Sequence, residues 1–212
     1  MRKVFLSMMS LQKAEKVPYL SEDYDLQEKE FYFPMSYIIY NNIEENDKIV
    51  VVTGVERDEL IASDTPVMIN YKKYVEEITE IAAEKSAEVE FVELRADKNF
   101  GNLTFNRFFK EVTNVIKDED RLFADITFGM KPFCLSMFVA LGYVVKACNN
   151  VVLDTVIYAQ RFTGSESAEK SNKSRIYDMT SLYFLNDISA KAQPGDKQAL
   201  DTMLNFIMTE EF

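Results

Sequence analysis

RLFADITFGMKPFCLSMFVALGYVVKA, residues 121–147, is the segment around which the 212-residue chain is built. Leu122 to Ile126 is a short apolar run that reads as a buried strand, and Pro132 to Ala147 is apolar on nearly every face, as a buried helix is. Chemistry can sit in the turn between them. Gly129 permits a backbone conformation closed to other residues, Pro132 suits a first helical turn, and the free amides of such a turn attract phosphate. Thr127 adds a hydroxyl and Lys131 a cation at the same edge. The alternative reading is an ordinary helix start with a surface lysine.

Working outward, Lys3 to Met8 (KVFLSM) suits a first central strand that ends in a loop over residues 7–10, with Lys13 and Lys16 beyond it. In an open parallel sheet, ligands lie past the carboxyl ends of the strands, so this loop is the expected neighbour of the Thr127 turn. Ser7, Met8, Met9 and Ser10 become candidates, the serines reading equally as plain strand-end hydroxyls. KIVVVT, residues 48–53, is a β-branched run broken by Gly54, which places Thr53 and Gly54 at the same edge.

The remaining elements follow the same alternation. Residues 24–33 carry aromatics around a charged centre and resemble a hairpin, and Phe33-Pro34 opens a short helix bearing Met35, Ile38, Ile39 and Ile43. After a charged loop over 55–66, Tyr71, Tyr74, Val75, Ile78, Ile81 and Ala82 mark an amphipathic helix whose Glu and Lys face reads as solvated. Residues 88–94 form a strand of edge character and 95–102 a loop, and Phe105, Phe108, Phe109, Val112, Val115 and Ile116 mark a second amphipathic helix. Residues 150–159 read as a strand, with Gln160 and Arg161 at its crevice end. Residues 164–174 form a polar loop and 176–188 a strand-like run, and Pro194-Gly195 introduces a helix bearing Leu200, Met203, Leu204 and Ile207. Strands that alternate with helices and are covered on both sides imply a doubly wound α/β fold: a mainly parallel sheet with helices on both faces.

Composition removes whole classes of function. The net charge of −11 opposes a long nucleic acid as partner, although a local patch of amides and one or two cations still accommodates a small anion. With no histidine in the chain, Ser-His-Asp, Cys-His and histidine-dependent ribonuclease sites are excluded, and neither a metal nor a cofactor is expected. Cys134 and Cys148 would stand roughly 20 Å apart along one helix, so they do not pair. No run is long and apolar enough for a membrane span and the start lacks signal-peptide character, so a cytoplasmic location is expected. Neither a Walker loop nor a glycine-rich dinucleotide fingerprint is present.

Asp125-Ile126-Thr127-Phe128-Gly129-Met130-Lys131-Pro132, followed by an apolar helix, resembles the Asp-x-Thr-His-Gly-Phe signature of CRISPR-associated Rossmann-fold (CARF) proteins. The Lys3 to Ser7 strand, residues 24–33 and the helix after Pro34 are similar to the N-terminal half of that family. The likeness covers residues 1–160, and Phe128 stands where the signature has histidine. The resemblance implies a Rossmann-like core over 1–160, with 161–212 either completing the domain or leading to an effector domain. It implies a homodimer whose two crevices join into one pocket for cyclic oligoadenylate, the messenger of type III CRISPR antiviral defence, with cyclic tetra-adenylate the first expectation. Thr127, Gly129 and Lys131 would meet phosphate or ribose, and Met8, Met9, Phe128 and Met130 would wall the adenines. Ring cleavage is the enzymatic version, with Lys131 as the electrostatic group and Ser7, Ser10 or Thr127 orienting the ribose. The alternatives are a stand-alone sensor, a ring nuclease, the sensor half of a longer protein, another nucleotide-binding regulatory Rossmann-like protein without catalysis, or an unrelated α/β scaffold without a ligand.

Overall fold

A computed structural model describes residues 1–57, 65–97, 101–162 and 173–209. Seven strands form one sheet: β1 (Lys3–Met8), β2 (Tyr19–Leu20), β3 (Lys48–Arg57), β4 (Glu88–Asp97), β5 (Arg121–Asp125), β6 (Val152–Gln160) and β7 (Ser174–Asp178). Their order is β2-β7-β6-β5-β1-β3-β4. Every neighbouring pair is parallel except β6 and β7, which run antiparallel. Among the described residues six helices accompany them: α1 (Pro34–Asn42), α2 (Pro66–Glu84), α3 (Asn102–Val115), α4 (Lys131–Ala147), α5 (Thr180–Lys191) and α6 (Lys197–Thr209).

Side chains alternate across the pleat, and that alternation builds two cores. Phe5, Val51 and Phe123 point to one face, where Met35, Ile38 and Ile39 of α1 and Tyr74, Ile78 and Ile81 of α2 cover them. Phe5 and Phe123 stack there with ring centroids 4.6 Å apart. Val4, Leu6, Val52, Leu122 and Ala124 point to the other face, against Phe108 and Val112 of α3, Phe133, Met137 and Leu141 of α4, and Tyr183 of α5. The sheet is thus covered on both sides, as the unbroken apolar strands demand. From β1 the chain moves outward through β3 and β4, returns to β5 beside β1, and continues the other way through β6 and β7. The order reverses between β1 and β5, and in open α/β sheets the carboxyl ends of the strands at such a point are where a ligand crevice is expected.

Two sequence expectations give way. Residues 24–33 make no hairpin: their only β-bridge among the described residues is an isolated antiparallel one between Val17 and Phe31, outside the strands of the sheet. Its aromatics are anchored by α1 instead, where the Tyr37 hydroxyl donates to the carbonyl of Lys29 and Phe31 meets the Tyr37 ring edge-on at 4.7 Å. The strand-like run over 176–188 ends at Asp178, because the Asp178 carboxylate accepts the Thr180 amide at 2.7 Å and starts α5. Two loops are also shorter than expected, since β3 reaches Arg57 and β4 reaches Asp97. The polar loop over 164–174 lies outside the described residues up to 172, and Ser174 opens β7. Strand β4 occupies the sheet edge, in keeping with its alternating pattern. No described helix is long and apolar enough to cross a membrane.

Candidate functional site

Three strand ends and one turn meet at the crevice. Ser7 pairs in register with Thr53 on one side and Asp125 on the other, and Met8 pairs with Gly54. The Met9 amide donates to the Gly54 carbonyl at 2.8 Å, tying the loop after β1 to β3. Asn70 of α2, wholly buried, holds that loop from beneath: its amide group donates to the carbonyls of Ser10 and Gln12, and its oxygen accepts the Ala14 amide. A lone Asn on an amphipathic helix carries no pattern, so nothing in the sequence marks this role.

The turn itself is tightly specified. Gly129 has φ of +84°, a conformation that disfavours side chains, and a Cβ there would meet Met8 Cβ at 2.6 Å. Asp125, almost wholly buried, accepts the Thr127 amide at 2.8 Å and the Met35 amide at the start of α1. Burial pushes its carboxyl up to about 6 despite these donors. The Thr127 hydroxyl accepts the Ala159 amide at 2.8 Å, pinning the end of β5 to β6. Phe128 lies edge-on to Phe33, and the Arg161 guanidinium sits 5.4 Å from its ring centre. The Cys134 thiol donates to the Phe128 carbonyl. Burial, with Asp125 and Glu56 nearby, pushes that thiol up to about 12, which disfavours the thiolate form.

The expected residues separate into two groups. Thr127, Phe128, Gly129 and Met130 keep part of their surface, and Lys131 is exposed at the first position of α4 with no ion pair among the described residues. The amides of Phe128, Gly129 and Lys131 meet no acceptor among those residues. Ser7, Met8, Met9, Ser10 and Thr53 are buried. Met8 fills the space over Gly54 and Gly129, and Met9 joins the core beneath α1 and α2, so their placement is packing and the crevice wall falls to Phe128 and Met130. The Ser10 hydroxyl is turned into its own loop, donating to the Gln12 carbonyl at 2.9 Å.

One residue at the turn was not anticipated. Glu56, buried near the end of β3, accepts the Met130 amide at 2.6 Å. One of the amides available to an anion is therefore bonded to the protein's own carboxylate. Its sequence context, the charged stretch after Gly54, reads as loop, and only the packing of β3 against the start of α4 shows its role. Arg161 and the free Lys131 flank the turn from β6 and α4. Among the described residues no group of acidic, cysteine or histidine side chains is arranged to hold a metal.

The chain matches no family model and no curated protein.

Proposed function

We propose that this chain is a ligand-sensing domain for cyclic oligoadenylate, which it binds at the crevice between β1 and β5 as a symmetric pair of chains. The observation that carries the reading is the placement of the CARF-like Asp125 to Lys131 segment. Its glycine turn stands at the point where the sheet order reverses, with three amides that meet no acceptor among the described residues and a solvent-facing ammonium. A cyclic oligonucleotide presents phosphates on a ring and bases around it, so amides and cations at the floor with aromatic and thioether walls suit its chemistry. Each hydrogen bond to a charged phosphate contributes about 1.5–3 kcal/mol, and two chains double the set.

Lys131 does not serve the helix it begins. A cation at a helix amino terminus opposes the macrodipole by a few tenths of a kcal/mol, which suits a ligand-facing role. Lys131→Ala is expected to leave folding intact while weakening ring binding at least tenfold. Cyclic tetra-adenylate and cyclic hexa-adenylate, titrated against the protein by calorimetry and followed by product separation, test binding and cleavage together. No heat and no product with either ring overturns the proposal. If the ring is cut, a ribose 2′-oxygen attacks the adjacent phosphorus, a 2′,3′-cyclic phosphate forms and the 5′-oxygen leaves as a hydroxyl. Such a reaction needs in-line positioning and a cation near the developing charge, which Lys131 supplies.

Glu56 favours a second reading. A carboxylate already bonded at the turn suits a ligand with less negative charge, such as a nucleoside bound by a regulatory, non-catalytic relative of the fold. Glu56→Gln separates the two. For a ring phosphate at this turn the variant binds more tightly, and for a neutral nucleoside the affinity stays unchanged.

A further inference from the structure

Strand β6 outruns its partner at the carboxyl edge of the sheet. Its pairing with β5 ends where Asp125 stands opposite Ile157, yet β6 continues to Gln160 and Arg161 follows. Two bonds keep that extension beside the glycine turn: the Ile126 amide donates to the Ile157 carbonyl at 3.0 Å, and the Ala159 amide donates to the Thr127 hydroxyl at 2.8 Å. Arg161 is thereby brought level with Phe128.

The guanidinium is held there by contacts that fix it without neutralising it. It sits over the Phe128 ring, 5.4 Å from the centre, and a terminal nitrogen donates to the Glu15 carbonyl at 2.7 Å in the loop after β1. Phe128 is itself braced, edge-on to Phe33 at 6.2 Å, and Phe33 is edge-on to the buried Tyr74 at 5.0 Å. Arg2, Arg121 and Arg175 each pair with a carboxylate, whereas Arg161 forms no ion pair among the described residues. Asp125 lies within its field, but that carboxylate is engaged by the Thr127 and Met35 amides. A phosphate oxygen carries charge and so outcompetes a peptide carbonyl for a guanidinium, whose planar fork takes two oxygens at once.

We propose that Arg161 is a phosphate-binding side chain of this site, that Phe128 is its positioning residue, and that ligand binding exchanges the Glu15 carbonyl for phosphate oxygens while the guanidinium stays on the ring. Phe128 then serves the site by carrying a cation, and Lys131 supplies a second one from the start of α4. The ligand class is a phosphate ester or diester. Its identity as a ring rests on the function proposed above; the contact itself does not.

Calorimetry with cyclic tetra-adenylate and, separately, with inorganic pyrophosphate tests this on wild type, Arg161→Gln, Phe128→Leu and the double variant. Arg161→Gln is expected to weaken every probe that wild type binds by about tenfold or more. It should also make the salt dependence of binding shallower, which the loss of a merely structural tie would not do. Arg161→Lys keeps the charge without the fork and should recover only part of the loss. Phe128→Leu stays apolar but removes the ring face, so it should cost severalfold alone and nothing further beside Arg161→Gln. Pyrophosphate binding that depends on Arg161, with no ring binding, supports the inference and removes the ring. Ring affinity unchanged in Arg161→Gln overturns the inference and leaves the ring. Binding of neither probe overturns both, and additive losses at Phe128 and Arg161 overturn the positioning role.

Discussion

Gly54 and Gly129 are held to glycine by the same side chain for different reasons. At Gly129 the φ of +84° and the Cβ of Met8, 2.6 Å from an added methyl, both resist substitution. At Gly54 the obstruction is the Met8 sulfur at 2.2 Å and its terminal methyl at 3.0 Å, which belong to the flexible end of the chain. Gly129→Ala is therefore expected to cost about 2–4 kcal/mol and Gly54→Ala about half as much. Met8→Ala distinguishes them, because alanine keeps the Cβ and discards the sulfur. In a double-mutant cycle read by urea unfolding, Met8→Ala should relieve the Gly54 substitution and leave the Gly129 penalty in place. Relief at both sites, or at neither, contradicts this packing. The Gly129 turn was legible in the sequence because a glycine, a proline and an apolar helix define it locally. Glu56 was not, since its bond to Met130 spans 74 positions and follows from how β3 meets α4.

At the scale of elements, the helix starts around the crevice share a device: each receives a carboxylate from another element. Asp125 of β5 meets the Met35 amide of α1, Glu77 of α2 accepts the Tyr32 amide and the Ser36 hydroxyl, and Glu56 of β3 accepts the Met130 amide before α4. Negative charge is favoured at these positive helix ends, which lets an acidic chain bury carboxylates. The Glu77 finding also corrects the solvated face expected for α2: burial, the largest influence, raises its carboxyl above the usual range. The strands and most helices were legible because their periods are long and clean. Residues 176–188 were not, since Tyr183 and Phe184 suit either element and only the Asp178 contact to Thr180 settles where the strand stops.

Asp125 gives this device a pH signature. Its folded carboxyl titrates at about 6 against an ordinary 3.8, so the folded chain holds the proton more tightly than the unfolded chain does. Between about pH 4 and pH 6 stability from this group falls as pH rises, and above pH 6 the contribution is gone. The facing groups are Thr127, Arg161, Tyr19 and Tyr74, with no second carboxylate and no imidazole among them. Wild type should lose up to about 3 kcal/mol relative to Asp125→Asn across the interval. Chemical denaturation of both proteins at pH 4, 5, 6 and 7 measures the difference, and a flat difference removes Asp125 as the source.

At the scale of the whole molecule, helix α4 ties the turn to an open surface. Leu135, Val139 and Tyr143 recur every four residues along it and are 64%, 60% and 55% exposed, an apolar ridge on a chain of charge −11. Leu103 of α3 and Leu182 and Phe184 of α5 are exposed as well. A single exposed leucine needs no explanation, whereas a contiguous ridge of this kind is typical of an interface. Since α4 starts at Lys131, two chains that pair along this ridge would place two copies of the turn in one assembly, the two-fold arrangement of the proposed ring site. Light scattering should therefore find a dimer at micromolar concentration, and calorimetry one ring per two chains. Val139→Glu sets a charge in the middle of the ridge, outside both cores, so the expected product is a folded monomer with its circular dichroism unchanged and its ring affinity lowered at least tenfold. A wild-type monomer that binds one ring per chain would detach the proposed ring site from the ridge, leaving α4 to face a different partner.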